Sequence, residues 1–158
     1  MNPVRLVLLA LAIAVVVPSD HLLIGQPKDP FPGTWLLARG KSDFTPPTPF
    51  YKRTVIIEPI DGGYKITTRT VSDRQQTIES TYSARFDGKD VPIDNSVLDT
   101  MSLRRIDANT IEGTAKLKGQ VVENATMKVS SDGKALTVTT KGSINGDDYS
   151  STQVFNRQ

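Results

Sequence analysis

The chain has 158 residues, 37% of them hydrophobic and 6% aromatic, with no cysteine and one histidine. That length suits one domain with a core of its own, and the missing cysteines exclude disulfides, thiolate metal sites, iron–sulfur clusters and a cysteine nucleophile. The charge is nearly balanced, 19 Lys and Arg against 17 Asp and Glu, which is too even for a protein that holds nucleic acid by neutralising phosphates.

Residues 1–19 predict a signal peptide. Arg5 precedes an unbroken apolar run, Leu6 to Val17, short for a membrane span and suited to a secretory leader, with Val17-Pro18-Ser19 as the cleavage region. An uncleaved anchor is the alternative. No cysteine follows the run, so a lipid anchor of the bacterial lipoprotein type is excluded. Residues 20–32 read as a Pro-rich linker, with three prolines between Pro27 and Pro32. The lone His21 falls in it and is expected to be simply solvated.

From Gly33 to the C-terminus the pattern is strand and turn throughout. Thr, Val and Ile dominate, and no apolar stripe at helical spacing occurs. Strands are predicted near 34–41, 52–59, 63–71, 76–86, 97–106, 110–118, 121–130, 135–142 and 148–156. Turns such as Asp61-Gly62-Gly63, Asp87-Gly88-Lys89, Asp132-Gly133-Lys134 and Asn145-Gly146-Asp147 supply the positive φ that tight hairpins need. Connections this short force antiparallel neighbours. The expected fold is all-β: a single antiparallel up-and-down β-barrel of about 8–10 strands. Alternation gives inward sets: Ile78, Ser80, Tyr82, Ala84 and Phe86; Val97, Asp99, Met101, Leu103 and Arg105; Ile111, Gly113, Ala115 and Leu117; Val121, Glu123, Ala125, Met127 and Val129; Leu136 and Val138. Small residues in these sets favour a hollow interior over a filled one.

The domain opens on Gly33-Thr34-Trp35 and ends on Val154-Phe155-Asn156-Arg157. A Gly-x-Trp start, a run of antiparallel hairpins and a terminal Arg resemble the lipocalin and fatty-acid-binding-protein superfamily, the calycins. Asp87-Gly88-Lys89-Asp90-x-Pro92 and Asp99-Thr100-x-Ser102-Leu103 look like exported bacterial lipocalin-like domains of undefined role. The resemblance implies a barrel whose Trp35 closes the bottom, with Arg157 across its ring. Gly33, Trp35 and Arg157 would then be structural. The sequence departs from these families in three ways. It has no flanking helix, no Arg-x-Tyr in its last strand, and no barrel histidine to hold a haem.

The loop 42–51 carries three prolines with Phe44, Phe50 and Tyr51 and is either a lid over the barrel mouth or a plain surface crossover packing its aromatics onto the barrel end. Asp99 and Glu123 could form an acid–base pair, but pairing with Arg39, Arg53 or Arg105, or exposure to water at the barrel rim, is the preferred reading. The Asp147-Asp148 turn lacks the spaced oxygens of a calcium loop. Asn124-Ala125-Thr126 is a sequon in mid-strand. The reading is an exported, secreted or periplasmic, monomeric protein that binds a small apolar molecule inside the barrel. The candidate lining is Ile56, Tyr64, Ile78, Ser80, Tyr82, Met101, Ala115, Met127, Val138 and Gln153, with Phe44 and Phe50 at the mouth. No catalytic residue, metal or cofactor is assigned, and no nucleic acid or lasting membrane insertion is expected. The alternative is a filled barrel acting as an interaction module on a protein or cell surface.

Overall fold

The computed structural model describes residues 28–46 and 50–158. The leader, His21 and most of the linker lie outside the described residues, as do the side chains of Phe50 and Tyr51. The strands are β1 (Gly33–Leu37), β2 (Asp43–Thr45), β3 (Phe50–Ile60), β4 (Gly63–Ser72), β5 (Thr77–Arg85), β6 (Val91–Pro92), β7 (Thr100–Arg105), β8 (Thr110–Leu117), β9 (Gln120–Val129), β10 (Ala135–Ile144) and β11 (Asp147–Arg157). All nine predicted strands are present. The two additions, β2 and β6, are too short for periodicity to reveal.

One antiparallel sheet runs β5-β4-β3-β1-β11-β10-β9-β8-β7-β6. Because β1 joins β3 on one side and β11 on the other, the first strand zips the two halves of the meander together. A 3-10 turn, Arg39–Lys41, breaks the chain after β1, and β2 resumes pairing farther along β11. Ser42 holds this kink: its hydroxyl donates to the Ala38 carbonyl (3.0 Å) and accepts from the Val154 amide (2.9 Å). The remaining seam lies between β5 and the β6–β7 segment. It is bridged at Thr81 and Asp94, whose backbones exchange hydrogen bonds of 3.3 and 2.9 Å, and by Asn95 Nδ2 donating to the Glu79 carbonyl (2.7 Å). The barrel is therefore nearly closed.

Inward side chains stack in rows across neighbouring strands. Val129, Leu136 and Phe155 form one row; Met127, Val138 and Gln153 the next; then Ala125, Thr140 and Ser151; then Glu123, Gly142 and Tyr149. On the other wall, Ile57, Ile66 and Tyr82 are followed by Val55, Thr68 and Ser80, then Arg53 and Thr70. Both series run from apolar to polar along the barrel axis. One end is therefore a dry core and the other a polar chamber.

The dry end is sealed by Trp35, fully buried, with the Arg157 guanidinium 4.1 Å from its ring. Arg157 also donates to the carbonyls of Gly133 (2.7 Å), Pro32 (2.9 Å) and Pro30. Residues 29–32, the end of the Pro-rich stretch, pack into this seal. Phe31 is fully buried, and its carbonyl accepts from Trp35 Nε1 (3.0 Å). Asp29 accepts from Arg105 Nη2 (2.8 Å) and from the Tyr64 hydroxyl. Arg105 sits over Phe31, Tyr64 and Phe86, 5.0 to 5.6 Å from their centroids. A guanidinium among three ring faces is favourable, and Asp29 balances its charge.

Candidate functional site

Above the seal lies a cavity of about 300 Å³. Val55, Ile66, Met101, Leu103, Met127 and Phe155 give it an apolar wall. Gly113 also lines it, and a Cβ there would press on Met101 Sδ at 3.3 Å and Leu103 Cδ2 at 3.4 Å. The glycine keeps this part of the chamber open. The polar part is built by Arg53 and Thr70 from β3 and β4, Ser80 and Tyr82 from β5, Glu123 from β9, Thr140 from β10 and Gln153 from β11. Ile93, Ser96 and Leu98 reach in from the segment beside the seam.

The polar groups form two linked sets. Arg53 donates to Gln153 Oε1 (2.7 Å) and, through Nε, to Thr70 Oγ1 (3.1 Å). Gln153 Nε2 donates to Ser151 (3.0 Å), which shares a hydrogen bond with Thr140 (2.8 Å). Opposite, the Tyr149 hydroxyl donates to Glu123 Oε2 (3.0 Å). Gly142 makes that bond possible, because it stands between Glu123 and Tyr149 in the same row. A Cβ there would overlap the Tyr149 ring and the Val122 carbonyl.

Burial dominates the electrostatics. It raises the Glu123 carboxyl above its ordinary range, against the Tyr149 hydrogen bond and the Arg53 charge that favour ionisation. Burial lowers the Arg53 guanidinium, and Glu123 opposes that. The Tyr82 hydroxyl is raised by burial and by the Glu123 charge. The two charges sharing this chamber thus stabilise one another.

Six residues named from the sequence stand on the cavity wall: Ser80, Tyr82, Met101, Met127, Val138 and Gln153. The other lining candidates do not. Ile56 points away, because Val55 pairs with inward Trp35; the run Val55-Ile56-Ile57 carries no alternation to set its parity. Tyr64 faces inward but belongs to the Asp29–Arg105 seal. Ala115 is buried in the core without reaching the chamber. Ile78 lies near the start of β5, 55% exposed. Phe44 is half-buried on β2, where it pairs with Ser151, and is not among the residues lining the cavity. The backbone of Phe50 opens β3, and its side chain is outside the described set. Val97 and Asp99 precede β7 in a turn; Val97 is 80% exposed, and Asp99 accepts from the Lys118 amide. No Asp99–Glu123 pair exists. Val121 turns outward because pairing jumps from Ala115↔Glu123 to Lys116↔Val121, a bulge at Val122. Among the described residues, no group of three or more His, Asp or Glu is placed to hold a metal.

Arg53, Thr68, Thr70 and Thr140 were missed as lining. Their signal was the alternation Arg53-x-Val55-x-Ile57, hidden by Ile56, and inward threonines that resemble a solvated face.

No protein-family model matches the chain, and no curated protein matches it. Among solved structures it is similar to zebrafish ileal bile acid-binding protein, crystallised with cholic acid. The TM-score is 0.48 at 10% identity, covering 82% of this chain and 99% of the other. The chain's own strand order shows a nearly closed antiparallel barrel, with Arg157 over Trp35 at one end as the resemblance implied.

Proposed function

We propose that the protein binds a small, mostly apolar molecule in the barrel chamber. The observation that carries this is a cavity of about 300 Å³ between a sealed apolar floor and a fixed polar cluster. A core selected only for stability would fill such a space, since each unfilled void forfeits dispersion contacts. Binding would remove the apolar part of the ligand from water in a chamber already formed. Met101 and Met127 would adapt to its shape. The apolar run Leu6 to Val17 supports placing this activity outside the cytoplasm, in a secreted or periplasmic protein.

Native mass spectrometry of the full-length chain, purified from its own host, tests the reading. The expected result is a mass excess that disappears on denaturation. A bare mass, together with no response to added apolar probes, would favour an interaction module instead.

A further inference from the structure

We propose that the chamber selects a ligand whose polar end is uncharged, an alcohol or a primary amide, over one ending in an anion or an ammonium group. This rests on the cavity reading above and deepens it. Arg53 and Glu123 line the same chamber from opposite walls with opposite charges. Each also holds a neutral partner: Arg53 binds Gln153 and Thr70, and Glu123 binds Tyr149. The interior charge is thus balanced without a ligand. A third charge entering would leave one buried charge uncompensated, which is costly where water is scarce.

Hydrogen-bonding capacity remains open on the β4–β5 wall. Thr68 and Ser80 are direct cross-strand partners, and Tyr82 lies one row below. All three line the chamber. Among the described residues, none of the three hydroxyls has a hydrogen-bond partner. Hydroxyls both donate and accept. The head that satisfies them offers both functions and no charge, while its tail lies along Val55, Leu103 and Met127.

The charge balance depends on Glu123 being ionised. The titratable groups facing it are Arg53 from β3, Tyr82 from β5 and Tyr149 from β11. Its flanking partners on β8 and β10 are Ala115 and Gly142, which carry no charge. Protonating Glu123 would leave Arg53 as the one charged group among the described lining residues and admit an anion.

Titration calorimetry of the full chain with octan-1-ol, octane-1-sulfonate and octylammonium separates the alternatives. At about pH 7, octan-1-ol is expected to bind about tenfold or more tightly than either ion. In E123Q the sulfonate-to-alcohol affinity ratio should rise about tenfold; in R53M the ammonium-to-alcohol ratio should rise comparably. If E123Q does not fold, the wild type should show the sulfonate ratio rising as pH is lowered through the raised Glu123 range toward 4.5, since the probe keeps its charge. An ion binding as tightly as octan-1-ol to the wild type, or ratios unmoved by these changes, would overturn the head-group inference while leaving cavity binding intact. Failure of all three probes to bind would overturn the cavity reading, and this inference with it.

Discussion

Gly142 shows how one residue without a side chain sets the chemistry of a site. It lies between Glu123 and Tyr149 in a cross-strand row, and the Tyr149 ring passes over it to reach the carboxylate. G142A should displace that ring, break the bond and cost about 1–3 kcal/mol, read as a lower midpoint in urea denaturation. At the sealed end, Arg157 combines a stack on Trp35 with three backbone carbonyls. R157M keeps the bulk but leaves those acceptors unmet; a loss of about 2–3 kcal/mol is expected, measured the same way. Trp35 and Arg157 were legible only through the resemblance that the Gly-x-Trp opening and the Arg of the last strand carry. Gly142 was not, because its role depends on which residues its row brings alongside.

Elements were read well where alternation was clean and badly where it was not. Strands β8 and β9 show why. Ile111, Gly113, Ala125, Met127 and Val129 fall inward as predicted, whereas Val121 turns out at the bulge that pairing introduces. The segment 28–32 shows a different limit. Prolines mark it as extended chain, but nothing local says that Phe31 and Asp29 dock on Tyr64 and Arg105. That docking has a pH signature. The Asp29 carboxyl is held below its ordinary value: burial acts to raise it, but hydrogen bonds from Arg105 and Tyr64 outweigh that. Its contribution is therefore present at neutral pH and lost as pH falls through the depressed value, below 3.8. D29N should cost about 1 kcal/mol at neutral pH and remove that part of the acid sensitivity, in denaturation curves compared across pH.

The whole molecule is a barrel with one well-sealed end and one lightly stitched seam. Between β5 and the β6–β7 segment the cross-links are the Thr81–Asp94 bridge and the Asn95 side chain. Amides of 77–80 and 95–99 should exchange with solvent faster than those of β9 and β10, which are paired along their length. Glu123 sets an opposite pH trend to Asp29. A carboxyl whose folded pKa is raised binds its proton more tightly in the native state, so stability falls as pH rises through that value. Between its raised value and the ordinary 4.5, acidification should therefore stabilise the wild type relative to E123Q.

The barrel, its nine longer strands and much of its inward face were legible because period-two patterning and turn glycines are local signals. The cavity was legible only as a surplus of small inward residues, since its polar chamber depends on rows that meet across the interior. Met101 and Met127 both line that chamber, and Met1 is the only other methionine in the chain. Methionine-methyl-labelled full-length protein titrated with octan-1-ol therefore gives a spectrum of very few signals. The account predicts that the Met101 and Met127 methyls shift together and saturably. Methyls that stay fixed while octan-1-ol binds elsewhere, or does not bind, would contradict it.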